Sequence, residues 1–95
     1  MDIDQSSAPP TLFTAQVLLD GPDAFTGGGR DFLIGSVLVP GDVRLLHGSA
    51  AEPNEPFTAE VALDEPAPDV ERGLPFVVFH EDRQVGSGVV NEVIG

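Results

Sequence analysis

Two stretches of this chain repeat each other. FTAQVLLD at 13–20 and FTAEVALD at 57–64 are identical at six of eight positions, with residue 57 standing 44 places after residue 13. The same offset brings Pro22 onto Pro66, Gly29 onto Gly73 and Phe32 onto Phe76 without a gap. Within each stretch an apolar residue holds every second position: Phe13, Ala15, Val17 and Leu19 in the first, Phe57, Ala59, Val61 and Leu63 in the second. A period of two sends successive side chains to opposite faces of a strand, so each stretch reads as a strand with one face in a core. The repeated strand–loop–strand unit predicts two related halves packed about a pseudo-twofold axis.

The rest of the chain reads the same way. A Gly/Pro-rich loop over GPDAFTGGGR leads into the apolar run DFLIGSVLV, and Pro40-Gly41-Asp42 carries a turn signal that ends that run before VRLLHG. LPFVVFH and RQVGSGVVNEVI form a hairpin across Glu81-Asp82. Gly86 and Gly88 stand two apart on one strand face, the pattern of a close strand approach or a barrel corner. No helical i, i+3, i+4, i+7 pattern of useful length occurs. The expected fold is all-β, a closed antiparallel six-stranded barrel. Ninety-five residues suffice for one modest core, predicted over 11–95, with 1–10 a flexible N-terminal leader ending in Pro9-Pro10.

Charge narrows the partners. Sixteen acidic residues stand against four arginines (Arg30, Arg44, Arg72, Arg83) and no lysine, a net charge of −12. Affinity for nucleic acid depends on cations that neutralise phosphates, so RNA, DNA and anionic membranes are expected to be repelled. The N-terminus lacks the basic and apolar regions of a signal peptide, and no apolar run approaches a membrane span; the expected location is the cytoplasm.

Catalytic signatures are missing. The chain has no cysteine, which excludes disulfides and thiolate metal sites. Neither His47 nor His80 lies in a motif that pairs it with a serine nucleophile, and their separation matches no metal-ligand spacing. Prolines break the acidic loop holding Asp64, Glu65, Asp69 and Glu71 out of any calcium-loop register. Gly27-Gly28-Gly29 is followed by neither GKS nor GKT and by no helix, so it does not read as a phosphate loop. The expectation is a non-enzyme without cofactor or metal.

The segment RGLPFVVFHEDRQVGSGVVNEVIG resembles the closing hairpin of the third, C-terminal barrel domain of elongation factor Tu. FTAQVLL followed by Gly28-Gly29-Arg30 is similar to that family's first strand and its Gly-Gly-Arg loop, and FTAEVAL after PNEP to its fifth strand. The resemblance runs over roughly 12–94 and is weakest over 31–55. The turn HEDR is one residue shorter than the family's double-glycine turn, with Asp82 where the family has glycine. In that family the domain does not hydrolyse GTP. It packs on the GTPase domain and presents surface to the T stem of aminoacyl-tRNA and to the exchange factor. The resemblance therefore implies a binding or regulatory module, with Arg30, His80, Glu81 and Arg83 as contact residues. The expected partner is a protein, basic or a GTPase or translation component. A tRNA-contacting accessory and a structural domain without a strong partner are the alternatives, and an exposed apolar edge strand would support a homodimer.

Overall fold

The computed structural model describes residues 12–67 and 70–94, and the expected leader 1–10 and Asp69 of the acidic loop lie outside the described residues. Six strands follow in order: β1 Leu12–Leu19, β2 Gly28–Ile34, β3 Val37–Leu45, β4 Phe57–Leu63, β5 Pro75–His80 and β6 Arg83–Val93. They close into an antiparallel barrel in the order β1-β4-β3-β2-β5-β6. Each strand has a neighbour on both sides. Closure leaves no whole strand as an edge, although β3 is without β4 beside it before Gly41.

The strand pairing follows the 44-residue repeat. Exchanging β1 with β4, β2 with β5 and β3 with β6 leaves the set of neighbours in the ring unchanged. Phe13 pairs with Val61 and Val17 with Phe57, which are each other's images at that offset, while Ala15 pairs with its own image Ala59. On the opposite wall Leu33 pairs with its own image Val77. Those two self-paired positions mark where the pseudo-twofold axis crosses the barrel. The β2–β3 and β5–β6 hairpins depart from it, with a bulge between Val78 and Phe79.

The alternation is realised as expected. Phe13, Ala15, Val17 and Leu19 of β1 and Ala59, Val61 and Leu63 of β4 point inward and are buried, and Phe57 packs against the core partly exposed. No polar or charged residue is buried among the described residues. Phe76 stands at the centre, edge-on to Phe13 at 5.7 Å and to Phe32 at 5.8 Å between ring centroids. Each such contact is worth about 0.5–1.5 kcal/mol beyond the area it buries.

Two glycines of β6 make room for this arrangement. A Cβ on Gly88 would stand 2.5 Å from Cζ of Phe76 and 2.8 Å from the Gln16 carbonyl oxygen; one on Gly86 would strike the Leu18 carbonyl oxygen and lie 2.7 Å from Cδ2 of Leu19. The pair therefore serves a close approach of β6 to β1 and the seating of a ring.

One expected turn is displaced. Pro40-Gly41-Asp42 does not end a strand, because β3 runs through it from Val37 to Leu45. The chain reverses earlier, at Gly35-Ser36, where Gly35 takes φ 64° and lets Ile34 pair with Val37. At Pro40 the missing N–H is tolerated because β4 joins β3 only from Gly41 onward, and the Pro40 carbonyl still accepts a hydrogen bond from the Asp64 N–H at 2.8 Å. The reversal at Glu81-Asp82 occurs as expected. Both residues have positive φ, 52° and 65°, which is the type I′ geometry of a two-residue hairpin.

Gly88→Ala should lower unfolding stability by about 1–3 kcal/mol through overpacking. Adding Phe76→Leu, which withdraws the atoms that the new methyl meets, should make the double variant more stable than the sum of the single losses predicts. Denaturant unfolding of the four proteins in a double-mutant cycle measures this. Strict additivity would remove the Gly88–Phe76 contact from the account.

Candidate binding surface

The tip of the β5–β6 hairpin brings together the four residues that the resemblance singled out. Arg30 and His80 line one cleft with Asp20, Asp23 and Phe25, and His80, Glu81 and Arg83 line a second with Asp20. A third cleft joins Arg30, His80 and Glu81 to Asp31, Asp42 and Asp64. Arg30 is fixed there: its Nη1 donates to the Gly29 carbonyl at 2.6 Å, and its guanidinium carbon sits 4.8 Å from the centre of the Phe25 ring. Phe25 is itself anchored by backbone hydrogen bonds to Ala51 in both directions, at 2.7 and 2.8 Å. The Nε2 of His80 lies 3.9 Å from a Glu81 carboxylate oxygen. No serine or threonine lines these three clefts. Two arginines and a histidine are thus ringed by carboxylates, a field that opposes a phosphate backbone.

A second surface has the opposite character. Outside the barrel, β2, β5, β6 and β1 form the floor of an open groove of about 660 Å³. Its thirteen lining residues include no Asp, Glu, Lys, Arg or His. The strand register builds it. Leu33 pairs with Val77, Val77 with Ser87, and Ser87 with Leu18, so one lateral row of outward side chains crosses four strands and is apolar except at Ser87. The row continues onto β3, where Leu38 pairs with Leu33 and is 50% exposed. In the next row Val89, 44% exposed, pairs with Pro75 and with Gln16. The row is thus an uncharged, mostly apolar strip on an otherwise acidic exterior.

Sequence reasoning did not single out Leu18, Leu33, Leu38, Val77 and Val89, although a signal for them exists. Each belongs to an apolar doublet: Val17-Leu18, Leu33-Ile34, Leu38-Val39, Val77-Val78 and Val89-Val90. In a strand one member of a doublet faces the core and the other must face out. In five of the six strands the outward member of a doublet is a leucine or valine, whereas in β4 it is only Ala62, between Val61 and Leu63.

No protein-family model matches this chain, and no curated protein matches it either.

The charge distribution makes a prediction of its own. Arg44 forms an ion pair with Glu60 on the exterior, a contact worth at most about 1 kcal/mol. Sixteen carboxylates against four arginines leave a large unbalanced repulsion. Raising NaCl from ~10 mM to ~0.5 M should therefore raise the melting temperature, because added salt shortens the screening length from roughly 30 Å to below 10 Å. A melting temperature that falls instead would mean that attractive pairs dominate the surface.

Proposed function

We propose that the chain is a non-catalytic binding module that acts through protein contacts, and that its uncharged outer groove is the contact surface. The observation that carries this reading is the groove's composition: thirteen lining residues without a charge, on a protein of net charge −12. A solvated exterior with so many carboxylates has no need of an apolar row across four strands, and leaving that row in water costs free energy that a partner would recover. The groove is open and shallow, lined chiefly by Leu18, Leu33, Val77 and Val89, which suits a polypeptide better than an enclosed small molecule.

The kinship with the third barrel domain of elongation factor Tu belongs to the same proposal. A closed six-stranded antiparallel barrel is the architecture that the resemblance implies, and Arg30 and Arg83 each share a cleft with His80 and Glu81. On this reading a GTPase or translation component is a candidate partner, and the hairpin tip is a secondary contact flanking the groove.

Affinity capture from a lysate of the source cells tests this reading with three baits: the natural chain, Leu18→Thr/Val89→Thr, and Arg30→Ala/Arg83→Ala. The groove variant should lose the retained protein, whereas the tip variant should retain most of it. Identical capture by all three baits would overturn the assignment of the groove.

A further inference from the structure

We infer that the groove receives a basic polypeptide segment, one whose central apolar side chains fill the row Leu33–Val77–Ser87–Leu18 and whose flanking lysines or arginines meet carboxylates at its rim. This rests on the reading of the groove as a protein contact and adds the chemistry of what binds there.

The rim supplies the argument. Along β1 the next outward position beyond Leu18 is Asp20, and along β2 the one before Leu33 is Asp31. Beyond the Gln16–Val89 pair the next outward pair is Thr14–Glu92, and Thr14 also pairs with Glu60. Pro56 and Leu74, at two further corners of the groove, are preceded by Glu55 and by Glu71-Arg72-Gly73. Two residues along a strand span roughly 6.5–7 Å. That is inside the screening length of roughly 8 Å at physiological salt, so these carboxylates act on anything seated in the groove. An apolar segment flanked by cations gains on both counts, since its apolar side chains leave water and its charges meet opposite ones across a short gap.

A second copy of this chain fits the same groove poorly. Face-to-face docking would bring Asp20, Asp31 and Glu92 of one copy against those of the other, adding like-charge repulsion between two bodies of net charge −12. The two occupants respond to salt with opposite signs. A basic segment binds more weakly as salt rises, whereas self-association strengthens.

Three synthetic peptides titrated into the full chain by calorimetry at ~50 mM NaCl distinguish the cases. The first has leucine and phenylalanine at its centre and lysines at both ends. The second replaces each apolar residue with serine, and the third replaces each lysine with glutamate. The first should bind at least about tenfold more tightly than either control, lose about tenfold with Leu18→Thr/Val89→Thr, and weaken at ~0.5 M NaCl; His47→Ala, at an exposed position outside the groove, should leave it unchanged. Circular dichroism and melting of the variants would establish that they fold. Equal binding of the serine peptide would show a charge-only attraction and overturn the inference. Equal binding of the glutamate peptide, still lost in the groove variant, would overturn the basic chemistry while leaving the groove as a contact surface. Binding of no peptide, or self-association that grows with salt in sedimentation and is lost in the groove variant, would overturn it as well; the capture experiment then decides separately whether the groove meets a protein at all.

Discussion

The approach of β6 to β1 decides whether this barrel can close. Val17 and Leu19 of β1 face inward opposite Gly88 and Gly86, and any side chain at those glycines would run into β1 backbone oxygens. The space that the glycines leave is taken from the other side by Phe76, whose ring bridges Phe13 of β1 and Phe32 of β2. A seam made of glycine thus draws in a ring that ties both halves of the repeat. Closure in turn leaves no whole strand as an edge and makes the outward side chains the surface on which partners can act.

Much of this was legible because the core imposes a period of two. Phe13, Ala15, Val17 and Leu19, and their images in β4, declare their facing through alternation alone, and the Glu81-Asp82 reversal declares itself through two polar residues between apolar runs. The reversal at Gly35-Ser36 was overlooked because Pro40-Gly41 is the stronger local turn signal. Tertiary pairing overrode it: Pro40 lies where β3 has β2 beside it and β4 has not yet joined, so its missing N–H interrupts little. The groove was hidden for a different reason. Its row exists only across strands, in the register that sets Leu33 beside Val77 and Ser87 beside Leu18, and no one-dimensional pattern contains that register.

The two candidate surfaces differ in what they can offer a partner. At the hairpin tip Arg30 is occupied by the Phe25 ring and the Gly29 carbonyl, and His80 and Arg83 stand among Asp20, Asp64 and Glu81. Exposed charges of both signs close together are already well solvated, and contacts to them are individually weak. The groove has the larger store of unrealised free energy because water is a poor solvent for its walls. In the proposed docking, specificity would come from the rim, whose carboxylates select the sign of the occupant, and from the shape of the apolar floor.

The repeat shows where divergence was permitted. FTAQVLLD and FTAEVALD differ at only two positions, Gln16 against Glu60 and Leu18 against Ala62, and all four of these residues face outward. Every inward position is identical: Phe13 and Phe57, Ala15 and Ala59, Val17 and Val61, Leu19 and Leu63. The core holds both copies to one solution, because a change of even one methylene there is felt throughout the packing. The exterior is under no such demand, and there the halves part: β1 contributes Leu18 and Gln16 to an uncharged groove, while β4 presents Glu60, paired with Arg44, and Ala62. The pseudo-twofold axis leaves the barrel through Leu33 and Val77, inside the groove, yet the surface around it is not twofold. A near-symmetric scaffold thus carries an asymmetric exterior around its own axis.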